Sequence, residues 1–442
     1  MAAPDGATLT KYVQYFWLLL VLFGRTSCLG RTLKLTHAVF RHGNRSPVKA
    51  YPTDPYQEDS WPQGFGQLTQ EGMRQHYELG QFFRKRYMLD NPLLNTTYKR
   101  SEIRIISTSY DRTLMSAESN LAGLYPPEGR QVWNEQFPWQ PVPVFTKPKA
   151  DDELLGVDHV HCTRWETLHN SLKGKHDDYM KKNKQFLYSV AKHAGFPLNN
   201  LTYYNLTRLA DSFFFELADG RTLPDWASKD IVQRVLSIMN FSYIAETQLP
   251  DEYFKLTTGL LMNDIIGHFK GVVSGTETVR MFMYSAHDDN VVWTLRALNV
   301  FNNLAPPPAT CVLIELYQEE DKSYTVEVLL RNNSRPEPYL LKLPGTNERC
   351  TLDQFYKITE HLIVTDHKAA CQAKTGSLLP KEWNTGFMSF SSRRRALEWA
   401  LFLLMLVLIL VYVCARKWSK FLRNLDSICK LRVLPKSTAS DV

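Results

Sequence analysis

The chain has 442 residues, a formal net charge of +7, 44% hydrophobic residues and 22% charged residues. This balance excludes a disordered chain and a low-complexity polymer, and the length allows two or three domain-sized units. Seven cysteines are too few for a small disulfide scaffold. A basic chain is a candidate for binding nucleic acid or a membrane surface, and the position of the charge decides between the two.

Two apolar segments near the ends predict a secreted and membrane-anchored protein. Residues 12–24 form a short apolar run after Lys11 and before small residues, which is typical of a signal peptide covering residues 1–30. An uncleaved signal anchor is the alternative. Residues 396–415 are apolar over one bilayer crossing, and a basic tail over residues 416–442 follows them. The pattern predicts a single-pass type I membrane protein with a lumenal or extracellular main domain, in the lysosome or at the plasma membrane.

The positive charge is concentrated at the membrane end of the chain. Residues 393–442 contain ten basic and three acidic residues, whereas residues 31–392 have a net charge of −1. The excess of basic residues therefore indicates a membrane protein rather than a nucleic-acid-binding one. Asn-x-Ser/Thr sites agree with this topology, because all of them fall in the predicted lumenal part. They are Asn95, Asn200, Asn205, Asn240 and Asn332.

Strands and helices alternate on both sides of the middle of the chain. Strands are predicted at 33–40, 103–108 and 278–285, and helices at 69–88, 111–124 and 290–300. This alternation predicts an α/β fold with a central sheet covered by helices on both faces. Two alternating strands within 311–331 predict an edge hairpin.

The middle of the chain differs in composition from the segments around it. Residues 137–149 contain four prolines, and residues 150–249 are polar, helix-prone and rich in glycosylation sites. We therefore expect an α/β domain formed by 31–149 and 250–373, with a helical cap inserted at 150–249. Residues 374–395 are expected to form a stalk to the membrane.

The sharpest motif is the turn Arg41–Pro47, RHGNRSP, which directly follows the first predicted strand. Ligands of α/β sheets bind at the carboxyl ends of strands, and a glycine there lets a ligand approach the backbone closely. Arginine guanidiniums suit phosphate oxygens, and an imidazole among them can attack phosphorus. For this motif alone, a structural turn paired with carboxylates is the alternative.

Two further strand ends supply matching side chains. Arg112 follows the strand at 103–108, and His287 and Asp288 follow the strand at 278–285. Alone, Arg112 would be an ion-pairing residue at a helix start, and His287-Asp288 a capped turn. Their convergence at matching strand ends favours one shared phosphate site.

The R-H-G-x-R-x-P segment resembles the signature of histidine acid phosphatases in the histidine phosphatase superfamily, branch 2. The resemblance extends through 51–87, 107–127, 284–290 and 315–320, and it is strongest to the vertebrate prostatic and lysosomal branch. It implies a mixed central sheet, a homodimer and a type I anchor. It also implies an acid phosphatase that needs no metal or other cofactor.

The resemblance assigns a role to each residue of the predicted site. His42 would be the nucleophile that forms a phosphohistidine, and Asp288 would protonate the leaving alcohol. The phosphoryl oxygens would be held by Arg41, Arg45, Arg112 and His287. Fixed cations can stabilise the charge of the phosphoryl transition state, and a carboxylic acid donor favours an acidic working pH.

The cysteines match the family only in part. Cys162 and Cys371 match a family disulfide pair, whereas the usual partners of Cys311 and Cys350 are absent, at positions near Phe215 and Thr346. Cys311 and Cys350 either pair with each other or stay free, because four cysteines allow three pairings. A metal cluster in the segment 159–162 (HVHC) is a weaker interpretation than a disulfide at Cys162.

Three expectations remain. Asn44 lies in a formal glycosylation site, but we expect it to be unmodified, because a glycan would fill the phosphate pocket and Pro47 disfavours modification. The C-terminal residues 440–442 could offer a carboxylate to a PDZ groove, which is a weak signal. The alternatives to a general acid phosphatase are a narrow-substrate phosphatase for nucleotides, lysophospholipids or phosphotyrosine, and an inactive receptor-like ectodomain.

Overall fold

The computed structural model describes residues 31–332, 337–346 and 349–372. The predicted signal peptide (1–30), stalk (374–395), transmembrane helix (396–415) and basic tail (416–442) lie outside the described residues. Within the described part of the chain, no helix combines the length and the hydropathy needed to cross a membrane.

A mixed sheet of eight strands forms the centre of the described chain, in the order β3-β2-β4-β1-β5-β6-β7 with β8 beside β6. The pairs β1–β4, β4–β2 and β2–β3 are parallel, and the pairs that involve β5 to β8 are antiparallel. The strands are β1 (Thr32–Arg41), β2 (Ile103–Ser107), β3 (Phe145–Thr146), β4 (Met281–Ala286), β5 (Cys311–Gln318), β6 (Tyr324–Arg331), β7 (Tyr339–Leu341) and β8 (Cys350–Thr351).

Helices cover both faces of this sheet, as the sequence predicts. Along β1, Leu35 and Val39 belong to one apolar core, and Ala38 and Phe40 belong to the core on the opposite face. The described helices are α1 (Gln70–Arg84), α2 (Asp111–Leu124), α3 (Thr163–Asn170), α4 (Leu172–Lys182), α5 (Lys184–His193), α6 (Tyr203–Ala218), α7 (Lys229–Thr247), α8 (Asp251–Ser274), α9 (Asp288–Ala297), α10 (Leu352–Thr359) and α11 (His367–Cys371). Helices α8 and α9 pack on the first face, and α1 and α2 pack on the second.

The helices in the middle of the chain enclose an apolar core of their own. It is formed by side chains of α5, α6 and α7, including Leu187, Leu206, Phe213 and Ile238. Helix α6 begins with a capping box, in which the Thr202 hydroxyl bonds the backbone amide of the third helical residue. These helices fall in the part of the sequence that is helix-prone.

The predicted edge hairpin at 311–331 lies inside the sheet, so that prediction is wrong. Strand β5 pairs with β1 as well as β6, and β6 is flanked further by β7 and β8. Glu315 is a polar member of this alternation, but its side chain is buried and accepts hydrogen bonds from Arg86 and Tyr87, each at 2.7 Å. A buried carboxylate whose hydrogen bonds are all made therefore gives the same polar–apolar alternation in sequence as a strand with one solvent-exposed face.

Candidate active site

Three parallel strands end side by side at one edge of the sheet. The last residue of β1, Arg41, is in register with Ala286 on β4, and Ser107 at the end of β2 is in register with Ser285. The residues after these three strand ends therefore meet in one crevice. All six residues that the sequence nominates for a phosphate site lie there: Arg41, His42, Arg45, Arg112, His287 and Asp288.

The turn after β1 is pressed against the start of helix α1. A Cβ on Gly43 would lie 2.3 Å from the carbonyl oxygen of Gly72, and one on Gly72 would lie 2.2 Å from the carbonyl oxygen of Asn44. Both residues must be glycine because two backbones touch. The sequence predicts that a glycine in this turn lets a ligand approach the backbone. In the structure, the backbone that closely approaches Gly43 is the start of helix α1.

A buried histidine of α1 fixes the backbone at the end of β1. His76 Nε2 lies 3.1 Å from the Arg41 carbonyl oxygen, and since a carbonyl only accepts, the ring nitrogen donates. Burial lowers the pKa of His76 to about 3, so the ring is neutral. His76 is a positioning residue that the sequence did not single out.

His42 has the protonation state of a nucleophile. Its Nδ1 lies 2.8 Å from the carbonyl oxygen of Gly43, so Nδ1 carries the proton and Nε2 keeps the lone pair. The ring is 1% exposed. Burial, followed by the charges of Arg112 and Arg41, holds the pKa of His42 well below its usual value. The imidazole is thus neutral and able to attack an electrophile.

Two arginines of the turn are held by different partners. Arg41 is fully buried, donates to the carbonyl oxygen of Pro306, and lies 2.9 Å from the Asp288 carboxylate. Arg45 makes a bidentate pair with Asp211 of α6, with N–O distances of 2.7 and 3.1 Å. Its guanidinium also lies 3.9 Å from the ring centroid of Phe215. Both arginines are therefore fixed in orientation.

Arg112 and His287 form the opposite side of the crevice. Arg112 Nη2 lies 3.5 Å from His287 Nδ1, and His287 Nε2 lies 3.0 Å from the Thr108 hydroxyl. Burial, with the charge of Arg112, lowers the pKa of His287 to about 3, so this ring is neutral and its Nε2 donates to Thr108. The rings of His42 and His287 are 5.7 Å apart between centroids.

Asp288 is the first residue of helix α9, and His287 precedes it as the N-cap. Its carboxylate accepts a hydrogen bond from the Tyr243 hydroxyl at 2.5 Å. Burial by itself raises the pKa of Asp288, but the charge of Arg41 and the Tyr243 hydrogen bond outweigh burial and hold the pKa below its usual range. The carboxyl group is therefore ionised when no second anion occupies the crevice.

The crevice carries more positive than negative charge and suits an anion. Burial and the neighbouring charge of Arg45 lower the pKa of Arg112 to about 10, which shows that the arginines repel one another. The Nε atoms of Arg41, Arg45 and Arg112 are buried and have no hydrogen-bond acceptor among the described residues. A tetrahedral oxyanion would supply acceptors for these donors and relieve the repulsion.

The remaining predicted residues lie away from the crevice, except Asn44. Asn44 is fully buried in the turn, and its side-chain nitrogen donates to the Thr69 hydroxyl at 3.1 Å, which leaves no room for a glycan in the folded protein. The other glycosylation candidates are exposed or half-buried: Asn95, Asn200, Asn205, Asn240 and Asn332.

The four cysteines in the described part of the chain divide into one bridge and two thiols. Cys162 and Cys371 form a disulfide, and Cys311 and Cys350 are free and buried. Cys311 is in register with Arg331, and Cys350 with Val326 on the same strand β6. Five residues of strand separate these positions by roughly 17 Å, which is far beyond disulfide reach.

The described residues show one cluster with metal-ligand chemistry, at Cys162, His367 and Cys371. Two of its three members are joined in the disulfide, and His367 Nε2 donates to a backbone carbonyl at 2.9 Å. The segment 159–162 does not form a cluster: His159 contacts Tyr110, and His161 lies 3.5 Å from Glu166.

Residues of the middle helices that touch this site were missed from sequence. Asp211, Phe215 and Tyr243 come from helices α6 and α7, far along the chain from the residues they contact. Nothing in their local pattern differs from that of other polar or aromatic residues of amphipathic helices. Only the packing of the middle helices over the sheet edge brings them to the crevice.

Comparison with known proteins agrees with this geometry. The model of the histidine phosphatase superfamily (branch 2) matches residues 32–331. Lysosomal acid phosphatase of Rattus norvegicus is 42% identical over 346 residues, which cover 77% of this chain and 81% of the relative. Prostatic acid phosphatase of Homo sapiens is 38% identical over 389 residues, which cover 87% of this chain and 93% of the relative.

Solved structures share the fold at low identity. The phytase of Hafnia alvei in complex with tartrate has a TM-score of 0.61 at 17% identity and covers 78% of this chain and 100% of its own. The phytase of Citrobacter braakii has a TM-score of 0.57 at 18% identity and covers 77% and 99%. The family match includes the three strand ends and every residue of the crevice, and the chain therefore belongs to the histidine phosphatase superfamily, branch 2.

Proposed function

We propose that the protein is an acid phosphatase that hydrolyses phosphate monoesters through a phosphohistidine intermediate, without a metal ion. The observation that carries the proposal is the neutral ring of His42, with its lone pair on Nε2, among three arginines. Membership of the family and the names of the relatives support the same reaction.

The first step transfers the phosphoryl group to the enzyme. His42 Nε2 attacks phosphorus, so a P–N bond forms as the ester P–O bond breaks, and the alcohol leaves with a proton from Asp288. The guanidiniums of Arg41, Arg45 and Arg112 hold the phosphoryl oxygens and stabilise the charge that spreads over them. His287 joins them when its Nε2–H turns from the Thr108 hydroxyl to a phosphoryl oxygen.

The second step releases phosphate. Water attacks the phosphohistidine, its proton passes to the Asp288 carboxylate, and the P–N bond breaks as the lone pair returns to Nε2. Asp288 is thus an acid in the first step and a base in the second.

Substrate binding itself prepares Asp288 as an acid. In the free site, Arg41 keeps the carboxyl ionised. A bound phosphate brings negative charge beside Asp288 and shares Arg41 with it, and both effects raise the pKa of the carboxyl. The first step therefore needs an acidic solution, which agrees with an acid phosphatase.

The deciding experiment measures phosphate release from phenyl phosphate at acid pH, with and without a chelator. We expect chelator-resistant turnover in the wild type and a loss of at least ~10⁴-fold in His42→Ala, because no other group forms the intermediate. Rapid quenching in alkaline denaturant, in which a phosphohistidine P–N bond survives, should trap phosphate on His42 in the wild type. Chelator-sensitive turnover, or an active His42→Ala variant, would exclude this mechanism.

A narrow-substrate phosphatase is the second candidate, and an inactive receptor-like ectodomain is the third. The crevice contains its nucleophile, its acid and all four phosphate-binding groups, which argues against an inactive ectodomain. A general acid phosphatase and a narrow-substrate one differ in their relative rates. The test compares phosphate release from nucleotides, lysophospholipids and phosphotyrosine with release from phenyl phosphate.

The proposed domain organisation is an α/β domain of residues 31–149 and 250–373 with a cap of residues 150–249. The separate apolar core of α5, α6 and α7 supports this division. Limited proteolysis tests this division. Cleavage near residue 150 before any cleavage in the sheet would agree with a separate cap, whereas simultaneous loss of the cap and the α/β domain would contradict it.

The proposed location is lumenal or extracellular, with a signal peptide, N-glycans and a single membrane anchor. The names of the lysosomal and prostatic relatives and the Cys162–Cys371 disulfide support an oxidising compartment. A C-terminal epitope that is detected only in permeabilised cells, and a mass that falls on deglycosylation, would agree with the topology. Detection of that epitope on intact cells would overturn it.

We also propose a homodimer. Val132, Trp133 and Phe137 form an exposed apolar patch, with 40%, 60% and 48% of their surfaces exposed, and a second copy of the chain would cover it. Trp133→Glu should shift the molecule from dimer to monomer in light scattering, whereas the exposed control Tyr204→Glu should not.

A PDZ contact at residues 440–442 stays a weaker proposal, tested by peptide binding.

A further inference from the structure

Tyr110 occupies a helix position that its chemistry does not suit. It is the N-cap of α2, with a φ of −128°, and its side chain makes no capping hydrogen bond. Serine, threonine, aspartate or asparagine at an N-cap stabilises a helix relative to residues that cannot cap, because its side-chain oxygen accepts from a free backbone amide. A local rule that is broken beside an active site indicates a role outside the helix.

The ring of Tyr110 stands at the rim of the phosphate crevice. Its centroid lies 4.9 Å from that of His287 in an edge-to-face arrangement, and the Arg112 guanidinium lies 4.5 Å from it. The hydroxyl is hydrogen-bonded to His159 Nε2, which in turn lies 3.4 Å from the Asp158 carboxylate. The ring is thus held at both ends, against the phosphate-binding groups and against the turn at 157–159.

A lysine lies directly on this ring. The Lys149 ammonium is 3.5 Å from the Tyr110 centroid, which is a cation–π contact. Lys149 is exposed, and no described carboxylate lies within ion-pair distance of it. The ring therefore positions a positive charge next to the crevice without neutralising it.

We propose that Lys149, positioned by Tyr110, binds a second anionic group on the leaving alcohol of the substrate. The proposal rests on the proposed function and narrows its substrate class to phosphate monoesters that also carry a carboxylate or a second phosphate. Stacking of a flat, uncharged leaving group on the Tyr110 ring is disfavoured, because the Arg112 guanidinium and the Lys149 ammonium already lie against that ring.

The test compares two substrates of nearly equal shape. The 3- and 4-carboxyphenyl phosphates carry the second anion, and the corresponding carbamoylphenyl phosphates do not. At a pH where the carboxylate is ionised, the charge preference is the ratio of kcat/KM between each pair. Lys149→Ala should lower this ratio about tenfold for at least one isomer, mainly through KM, and Lys149→Arg should restore most of it.

A second lysine provides the matched control. Lys147 is also exposed, but it lines a different pocket beside the Cys162–Cys371 disulfide. Lys147→Ala removes the same net charge and should leave the ratio unchanged. An unchanged ratio in Lys149→Ala, or an equal fall in Lys147→Ala, overturns the subsite while the phosphatase assignment stands. A wild type that releases phosphate neither from these substrates nor from phenyl phosphate overturns both the subsite and the proposed function.

Discussion

At the scale of single residues, the proposed mechanism asks Asp288 for two opposite proton transfers in one turnover, and its neighbours set the pH at which it can make them. Arg41 and Tyr243 both favour its ionised form. The acid form needed in the first step therefore exists only when substrate charge and solution acidity act together.

Tyr243→Phe should move the activity of the enzyme toward neutral pH. The substitution removes the 2.5 Å hydrogen bond to the Asp288 carboxylate, and that bond lowers the carboxyl pKa. Without it the pKa rises, so the protonated acid persists to higher pH and the basic limb of the kcat profile shifts upward. The profile is measured with a poor leaving group such as an alkyl phosphate, which needs the acid.

Tyr203→Phe is the control for this prediction. The Tyr203 hydroxyl donates to the Ile238 carbonyl inside the core of the middle helices and makes no hydrogen bond to a crevice residue. Its loss should lower stability without moving the pH profile. A basic limb that stays in place or moves to lower pH in Tyr243→Phe would contradict the role given to this hydrogen bond.

The six crevice residues could be predicted because the signal is local. Each lies at a strand end or a few residues beyond it, and strands of this length and composition are readable from sequence. Tyr243 and Asp211 could not be predicted, because their partners lie 45 and 166 residues away. Their contacts depend on how the middle helices pack, and no local pattern encodes that.

At the scale of elements, the turn after β1 and the start of α1 behave as one unit. The backbones meet at Gly43 and Gly72, and the amide of Asn44 is held by the Gln75 side chain at 2.8 Å. The position of His42 and Arg45 therefore depends on helix α1, although α1 supplies no group to the chemistry.

Gly43→Ala should lower both stability and activity. The new Cβ would meet the Gly72 carbonyl oxygen at 2.3 Å, so α1 and the turn must separate. We expect a loss of about 1–3 kcal/mol in the free energy of unfolding, as is usual for overpacking. Activity should fall at temperatures where the variant is still folded. Urea unfolding followed by circular dichroism measures the first effect, and phenyl phosphate turnover measures the second.

Gly174→Ala is the matched control, because Gly174 lies in α4 and a Cβ added there would meet no atom within 4 Å. The same change there should stabilise the protein by up to about 1 kcal/mol. Equal effects of the two substitutions would show that the contact with α1 is unimportant.

Whether a segment forms a helix or a strand was easier to predict than which segments pack against it. Helix α2 has the predicted bounds, and β1 differs by one residue at each end. The two alternating strands within 311–331 predict an edge hairpin, but Glu315 of β5 is buried inside the sheet. Its burial depends on Arg86 and Tyr87 from a distant segment.

At the scale of the whole molecule, the Cys162–Cys371 disulfide joins the start of the middle helices to the end of the described chain. It closes a loop with a sequence separation of 209 and packs with Leu256 of α8. A cross-link over so long a loop reduces the entropy of the unfolded chain and thereby favours the fold.

Removing this disulfide should destabilise the protein by about 2–5 kcal/mol, with little change in kcat at low temperature. Cys162→Ala, Cys371→Ala and the double variant should have similar melting temperatures, because each lacks the same bond. Cys350→Ala removes a buried thiol but no bond, and should cost only about 1 kcal/mol. A double variant that melts with the wild type would refute the stabilising role.

The two free thiols among the described residues affect the lifetime of the folded protein rather than its free energy of unfolding. Cys311 and Cys350 are buried, so in the native state neither meets an oxidant or another thiol. Each global opening exposes both, and in an oxidising compartment an exposed thiol can attack the native disulfide and trap a mispaired chain. Opening then becomes irreversible, and the half-life of the enzyme follows its rate of unfolding.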